Sequence, residues 1–235
     1  PIPPGFMLSV VIPVYNEVAT LEKVIQRVRD TGLNQQIILV DDGSTDGTRE
    51  LLDGLRDQED LKILFHESNQ GKGAALITGF SEATGDVVVI QDADMEYNPA
   101  EFRWLLQPIL DGRADVVYGS RFSSADHVVS PGWHQAGNQF ITRCCNFVTR
   151  MRFTDVETCY KMFRREVIQE LAPTLREKRF GIEIEMTAKL ARRGKIRFFE
   201  RPISYARRSY AEGKKIGWRD GVRALWCILR YGFGK

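Results

Sequence analysis

The chain reads as an α/β protein built on a mostly parallel central sheet with helices on both faces. Two observations predict this class. Short apolar, β-branched runs (Leu8 to Val14, Ile37 to Val40, Leu61 to Phe65, Val87 to Ile90) alternate with segments of helical periodicity, and that alternation specifies parallel strands joined by crossover helices. Three of these runs also empty into polar or acidic residues: Tyr15-Asn16-Glu17, Asp41-Asp42 and Gln91-Asp92-Ala93-Asp94. In a parallel sheet such ends gather along one edge, where open α/β sheets bind their ligands.

Each element has its own signal. After the first strand, Asn16 is placed to cap a helix running to about Asp30, with Leu21, Val24, Ile25 and Val28 at helical spacing. The second strand is followed by Asp41 to Gly47, in which Asp41 and Asp46 read as loop and capping residues, and by a short helix from Thr48 to Leu55. The third strand leads through Asn69-Gln70-Gly71-Lys72-Gly73 into a helix ending at Ala83. Beyond the fourth, Asn98-Pro99 supplies a cap and first-turn proline for a helix through Ile109. Asp115 to Ser120 is a further strand, and Arg121 after it faces the same edge.

The second half is less regular. Ser123 to Trp133 is polar, contains Pro131-Gly132 and reads as a loop covering the substrates. His134 to Arg150 is helical, carrying Phe140, Ile141, Cys144, Phe147 and Val148 with Arg143 among them. Another helix begins at Gly181, and its Glu183 and Glu185 either meet basic residues or favour the positive helix terminus. Trp218, Val222, Leu225 and Leu229 form an apolar stripe with Arg219, Arg223 and Arg230 alongside. That helix suits either a bilayer surface or the protein's own core.

The 235 residues suit one α/β domain, and 43% hydrophobic with 27% charged residues excludes a disordered chain. A net charge of +2 conceals an asymmetry. Lys189 to Lys235 holds fourteen Lys and Arg against three acids, so this last fifth is +11 and the remaining 188 residues are −9. The basic end calls for an anionic partner or surface. No nucleic-acid recognition module accompanies it. Cys144, Cys145, Cys159 and Cys227 show no CxxC spacing, which favours a reducing compartment over a zinc site. The N-terminal residues lack the layout of a signal peptide, and no apolar run approaches the ~20 residues of a spanning helix. The chain begins at Pro1 rather than Met, as a trimmed chain would.

The chemistry is expected at Val87 to Glu96. If the chain stays extended past the strand, Asp92, Asp94 and Glu96 point one way, and such carboxylates suit a hard divalent cation, Mg²⁺ or Mn²⁺, shared with substrate phosphates. Solvated loop acids are the bland alternative. Gly71-Lys72-Gly73 lacks the GxxxxGK[ST] spacing and no GxGxxG follows the first strand, which argues against a P-loop NTPase and a dinucleotide oxidoreductase.

Five motifs then carry a resemblance. Ile12-Pro13-Val14-Tyr15-Asn16-Glu17, Val40 to Asp46, Asn69 to Gly73, Asp92-Ala93-Asp94 and Tyr118-Gly119-Ser120-Arg121-Phe122 occur in order and at familiar spacing. Together they resemble a family-two glycosyltransferase of GT-A fold, in the branch of dolichol-phosphate mannose synthase and the polyprenyl-phosphate glycosyltransferases. The likeness runs from Leu8 to about Trp218. It implies one catalytic domain over 1–235, with 8–122 binding the nucleotide sugar and 123–235 the acceptor. Pro13, Tyr15 and Glu17 would line the nucleoside pocket, with Val40 and Asp42 beside the base. Lys72, Gln91, Ala93 and Arg121 would belong to the donor site. Asp92 and Asp94 would bind metal and diphosphate, with Glu96 as third ligand where many mannose synthases have Gln. Arg143, Arg208 and Lys214 would meet the lipid phosphate, Lys215 beside them.

Asp155 to Phe163 resembles the segment flanking the sugar. Mannose synthases usually carry Ser-Gly-Phe-Arg there, and Thr158-Cys159-Tyr160-Lys161 departs from it, which leaves UDP-glucose and GDP-mannose both open as donors. The resemblance implies inverting, metal-dependent transfer of a hexose to a polyprenyl or dolichyl phosphate by an enzyme peripheral to the cytoplasmic membrane face, with Asp92, Asp94 and Arg208 catalytic. Two alternatives stand beside it: transfer to a hydroxyl, with Asp155 or Glu157 as base, and a protein that binds nucleotide sugar without turnover.

Overall fold

The computed structural model describes residues 2–122, 132–206 and 218–233. Its strands are β1 (Leu8–Val14), β2 (Gln35–Asp41), β3 (Leu61–Phe65), β4 (Val87–Ile90), β5 (Val116–Ser120), β6 (Lys161–Arg164) and β7 (Phe198–Pro202). They form one sheet in the order β3-β2-β1-β4-β6-β5-β7. All pair in parallel except β6, which runs antiparallel to β4 and β5. The helices are α1 (Leu21–Arg29), α2 (Thr48–Gly54), α3 (Lys72–Ser81), α4 (Phe102–Leu110), α5 (Gly132–Thr149), α6 (Arg165–Leu171), α7 (Ile182–Arg192) and α8 (Trp218–Phe233).

Both faces of the sheet are covered, as the unbroken apolar strands require. In β4, Val87 and Val89 pack with α1 and α4 residues such as Val24 and Leu105, while Val88 and Ile90 pack with Leu76 and Phe80 of α3. Burying each such side chain contributes about 1.5–3 kcal/mol.

The four leading strands and α2 to α4 fall where sequence placed them, within two residues at most ends. Other elements differ. Helix α1 begins at Leu21 rather than after Asn16, because Asn16 adopts a left-handed backbone (φ 54°) and spends its side-chain oxygen on the Thr45 N–H at 2.8 Å. Gly132 and Trp133, expected in a loop, open α5, and residues 123–131 lie outside the described part. Strands β6 and β7 and helix α6 were not expected; β6 carries Lys161 and Arg164, which mask its pattern. The Lys161 side chain is fully buried, its amine donating to the Val156 carbonyl at 3.0 Å and to the Thr158 carbonyl.

On α8 the expected stripe is split, with Leu225 packed against the core. Val222 and Leu229 are exposed, whereas Ala224, Cys227 and Ile228 face the core, and Arg223 pairs with Glu177 at 2.7 Å.

The glycines of Gly71-Lys72-Gly73 are steric. Gly71 has φ +103°, and a Cβ on either glycine would overlap backbone carbonyl oxygens of Glu177 or Lys178. Gly73→Ala should therefore lower stability by about 1–3 kcal/mol, read from the midpoint of chemical denaturation.

Candidate active site

The carboxyl ends of β1, β2, β4 and β5 share one edge, and because β6 is reversed, the residues preceding it arrive there too. A cleft of about 290 Å³ opens at this edge. Pro13, Tyr15, Glu17 and Asp42 line it from β1 and β2, Asp92, Ala93, Asp94 and Glu96 from the turn after β4, and Lys72, Arg121, Glu157 and Cys159 from the other side.

Asp42 is almost fully buried and accepts the N–H groups of Gln70 (2.9 Å) and Gly71 (2.7 Å) and of His66 Nδ1 (2.7 Å). Asp41 serves the fold, accepting the Ser44 N–H at 3.2 Å and facing Arg49 at 3.4 Å. Asp46 accepts the Thr48 N–H at 3.0 Å, which also keeps to the structural reading.

Lys72, the first residue of α3, joins four elements. Its amine lies 2.7 Å from Asp92 Oδ1, 2.9 Å from Cys159 Sγ and 3.4 Å from Glu183 Oε1 of α7. Burial works against the ammonium, but Asp92, Cys159 and Glu183 outweigh it and hold its pKa well above the usual lysine range.

The acidic turn is not the extended ladder expected. Strand β4 ends at Ile90, Met95 takes φ 65°, and Asp94 Oδ1 accepts the N–H of Glu96 at 3.1 Å. Asp92 is turned to Lys72, and Glu96 Oε2 accepts the Tyr205 hydroxyl at 2.6 Å. Among the described residues no three His, Cys, Asp or Glu side chains form a ready-made metal group, so Asp92, Asp94 and Glu96 do not stand as a preassembled cluster. The charges still favour a cation. Burial first, then the neighbouring charges of Asp92 and Glu96, push the Asp94 carboxyl up to about 7, a strain that a bound cation would relieve.

On the far side, Arg121 holds Asp155 with both prongs, Nε to Oδ2 at 2.7 Å and Nη2 to Oδ1 at 2.9 Å. Burial opposes the Asp155 charge, yet Arg121 keeps its pKa below the usual carboxylate range. Asp155 is fully buried and so occupied, which removes it as a base. Glu157 differs: it lines the cleft, has no hydrogen-bond or ion-pair partner among the described residues, and is pushed by burial up to about 7 against the opposing pull of Arg121.

Three expected site residues lie elsewhere. The Val40 side chain is fully buried in the core beneath α3. Gln91 is buried too, donating to the Asp92 carbonyl at 3.0 Å and accepting the Tyr160 hydroxyl at 2.8 Å. Arg143 is exposed on α5 and does not line the cleft. Arg208, Lys214 and Lys215 lie outside the described residues. The sequence reading missed Tyr97, Arg179 and Phe180, which line the cleft; the last two come from the loop before α7, which carries no motif.

With this geometry in view, the class is plain. Residues 9–172 match the model of glycosyl transferase family 2, and the chain belongs to that family of glycosyltransferases, with the GT-A fold expected of it. Undecaprenyl-phosphate mannosyltransferase of Micrococcus luteus is 31% identical over 95% of this chain and 98% of its own length. Undecaprenyl-phosphate 4-deoxy-4-formamido-L-arabinose transferase of Aeromonas hydrophila is 31% identical over 88% of this chain and 62% of its own. Dolichol-phosphate mannosyltransferase of Pyrococcus furiosus is 38% identical over 49% of this chain and 33% of its own. The chain thus spans nearly all of the first relative and less than two thirds of the other two. Glucosyl-3-phosphoglycerate synthase from Mycobacterium tuberculosis, solved with Mn²⁺, UDP and phosphoglyceric acid, superposes with a TM-score of 0.72 at 20% identity, over 97% of this chain and 79% of that one. At that identity the likeness is one of fold.

Glu157 gives a pH test. Its carboxyl titrates near 4.5 in the unfolded chain and near 7 when folded, so the folded state binds the extra proton between those values. Stability from this group is present below pH 4.5, falls as pH rises to about 7 and is then flat, a total of about 3 kcal/mol at most. Without divalent metal, Glu157→Gln should melt higher than the parent at pH 8 and together with it at pH 4.5, measured by thermal unfolding at both pH values.

Proposed function

We propose that this glycosyltransferase moves a hexose from a nucleotide diphosphate sugar to a polyprenyl phosphate. The observation that carries the reading is the split of the cleft into an acidic donor side, Asp42 to Asp94, and an opposite wall bearing Arg121. Strand ends β2 and β4 are two strand spacings apart, about 10 Å, which suits a nucleoside diphosphate laid across β1 with its base at Asp42 and its phosphates at Asp92 and Asp94. The polyprenyl-phosphate relatives support the acceptor class.

Asp94 and Asp92 are the residues that would hold Mg²⁺ or Mn²⁺ together with the diphosphate, and the ion would supply charge neutralisation for the leaving group. The acceptor phosphate is largely anionic near neutral pH, its second pKa being about 6, so it attacks without a dedicated base. Its oxygen bonds to the anomeric carbon as the bond to the β-phosphate oxygen breaks, and one displacement inverts that centre. Tyr15 and Glu17 orient the nucleoside, Lys72 keeps Asp92 in place, and Arg121, fixed by Asp155, lines the sugar side. The basic run holding Arg208 and Lys214 continues directly from Tyr205, which lines the cleft, and its charge fits the lipid phosphate.

The lipid also explains the outer face. No helix among the described residues is long and apolar enough to cross a membrane. Phe140 and Phe147 of α5 and Val222, Trp226, Leu229 and Phe233 of α8 are exposed, and with Arg143 and Arg230 nearby in sequence they suit an anionic bilayer surface. A second reading, transfer to a hydroxyl, is favoured only by Glu157, whose carboxyl has no partner among the described residues and is poised to accept a proton near neutral pH.

Purified protein with labelled UDP-glucose or GDP-mannose, Mg²⁺ or Mn²⁺ and a short polyprenyl phosphate should yield labelled lipid, and no product across all combinations would overturn the proposal. Asp94→Asn should lower the rate at least about a hundredfold. Glu157→Gln should leave lipid transfer within a few-fold, whereas near-complete loss would favour a hydroxyl acceptor. Phe147→Ser with Leu229→Ser should reduce sedimentation with anionic vesicles by about tenfold or more, leaving turnover of a short water-soluble acceptor unchanged.

A further inference from the structure

We infer that the base this chain recognises is uracil and not guanine. The inference rests on the proposal that Asp42 meets the base of the donor. A carboxylate offers about four lone-pair positions, two on each oxygen. Three of those on Asp42 are filled: Oδ1 accepts the Gln70 N–H at 2.9 Å and His66 Nδ1 at 2.7 Å, and Oδ2 accepts the Gly71 N–H at 2.7 Å. His66 is fixed as a donor to Asp42 because a carboxylate only accepts, and its Nε2 lies 3.0 Å from the Thr78 hydroxyl. Among the described residues nothing else binds Asp42, so one position remains open, on Oδ2.

The bases differ in what they can bring to one open position. Adenine and cytosine present an unprotonated ring nitrogen at the pairing edge, and its lone pair would face the carboxylate. Guanine presents N1–H and an exocyclic N–H side by side, a fork that takes one position on each oxygen, as the paired donors of arginine do. Oδ1 has none to give. Uracil presents a single N3–H between two carbonyl oxygens and needs one acceptor position. Guanine in the same place leaves a donor unpaired in an almost fully buried setting, since Asp42 is 2% exposed. That cost corresponds to about tenfold in affinity or more.

The same loop explains why the count is rigid. Asp42 holds Gln70 and Gly71 where the close contact of Gly71 with Lys178 requires them, so those two N–H groups cannot turn away to make room. Only His66 can be removed without breaking the backbone.

Calorimetric titration of the whole chain with UDP and with GDP, each with Mn²⁺, tests the inference. UDP should bind at least about tenfold more tightly than GDP. His66→Leu opens a position on Oδ1 and should bring the two affinities within about threefold, mainly by strengthening GDP. Equal or tighter binding of GDP by the parent chain overturns the base assignment while leaving sugar transfer to lipid intact. An unchanged UDP preference in a folded His66→Leu variant overturns the lone-pair explanation. Binding of neither nucleotide overturns the assignment together with the donor site on which it rests.

Discussion

The Lys72 ammonium is the charge around which the site is assembled. It sits at the start of α3 and reaches Asp92 after β4, Cys159 before β6 and Glu183 in α7. Ions removed from water are tolerated only with close partners, so this one cation obliges four chain segments to converge. The glycines on either side of it let α3 approach Glu177 and Lys178 closely enough for that reach. Among the described residues one Glu183 oxygen is buried without a hydrogen-bond partner.

A second constraint is the reversal of β6. Were β6 parallel, the residues before it would emerge at the opposite edge. Running antiparallel, it delivers Asp155, Glu157 and Cys159 to the edge where Asp42 and Asp92 already lie. Arg121 at the end of β5 then closes on Asp155, tying the two halves of the chain across the cleft. The wall bearing Asp42 and Asp92 depends on the parallel strands, and the opposite wall depends on this one exception.

The parallel half was legible in sequence because its strands are apolar runs and its strand ends carry polar residues. Pro13, Tyr15, Glu17, Asp42, Lys72, Asp92, Ala93, Asp94, Glu96 and Arg121 do line one cleft. What escaped was set by contacts distant in sequence. Strand β6 hides because Lys161 and Arg164 break its pattern, and the Lys161 amine is satisfied by carbonyls rather than by water. Val40 and Gln91 sit within motifs yet are buried, Val40 in the core against α3 and Gln91 held by the Tyr160 hydroxyl and the Asp92 carbonyl. Asn16 looked like a cap and instead ties two loops together. Asp155 and Glu157 are alike in sequence, and only the reach of Arg121 separates an occupied carboxylate from a free one. On α8, spacing revealed an amphipathic helix but not which apolar side the core would take.

In the proposed nucleotide-sugar cleft, Asp92 and Asp94 stand at the metal and diphosphate end. The most direct measurement is a crystal soaked with Mn²⁺ and a nucleoside diphosphate, with data collected at the manganese absorption edge. An anomalous peak is expected within coordination distance of Asp94 or Asp92 and of the β-phosphate, with the base beside Asp42. A peak remote from both aspartates, with the nucleotide bound outside this strand edge, would contradict it.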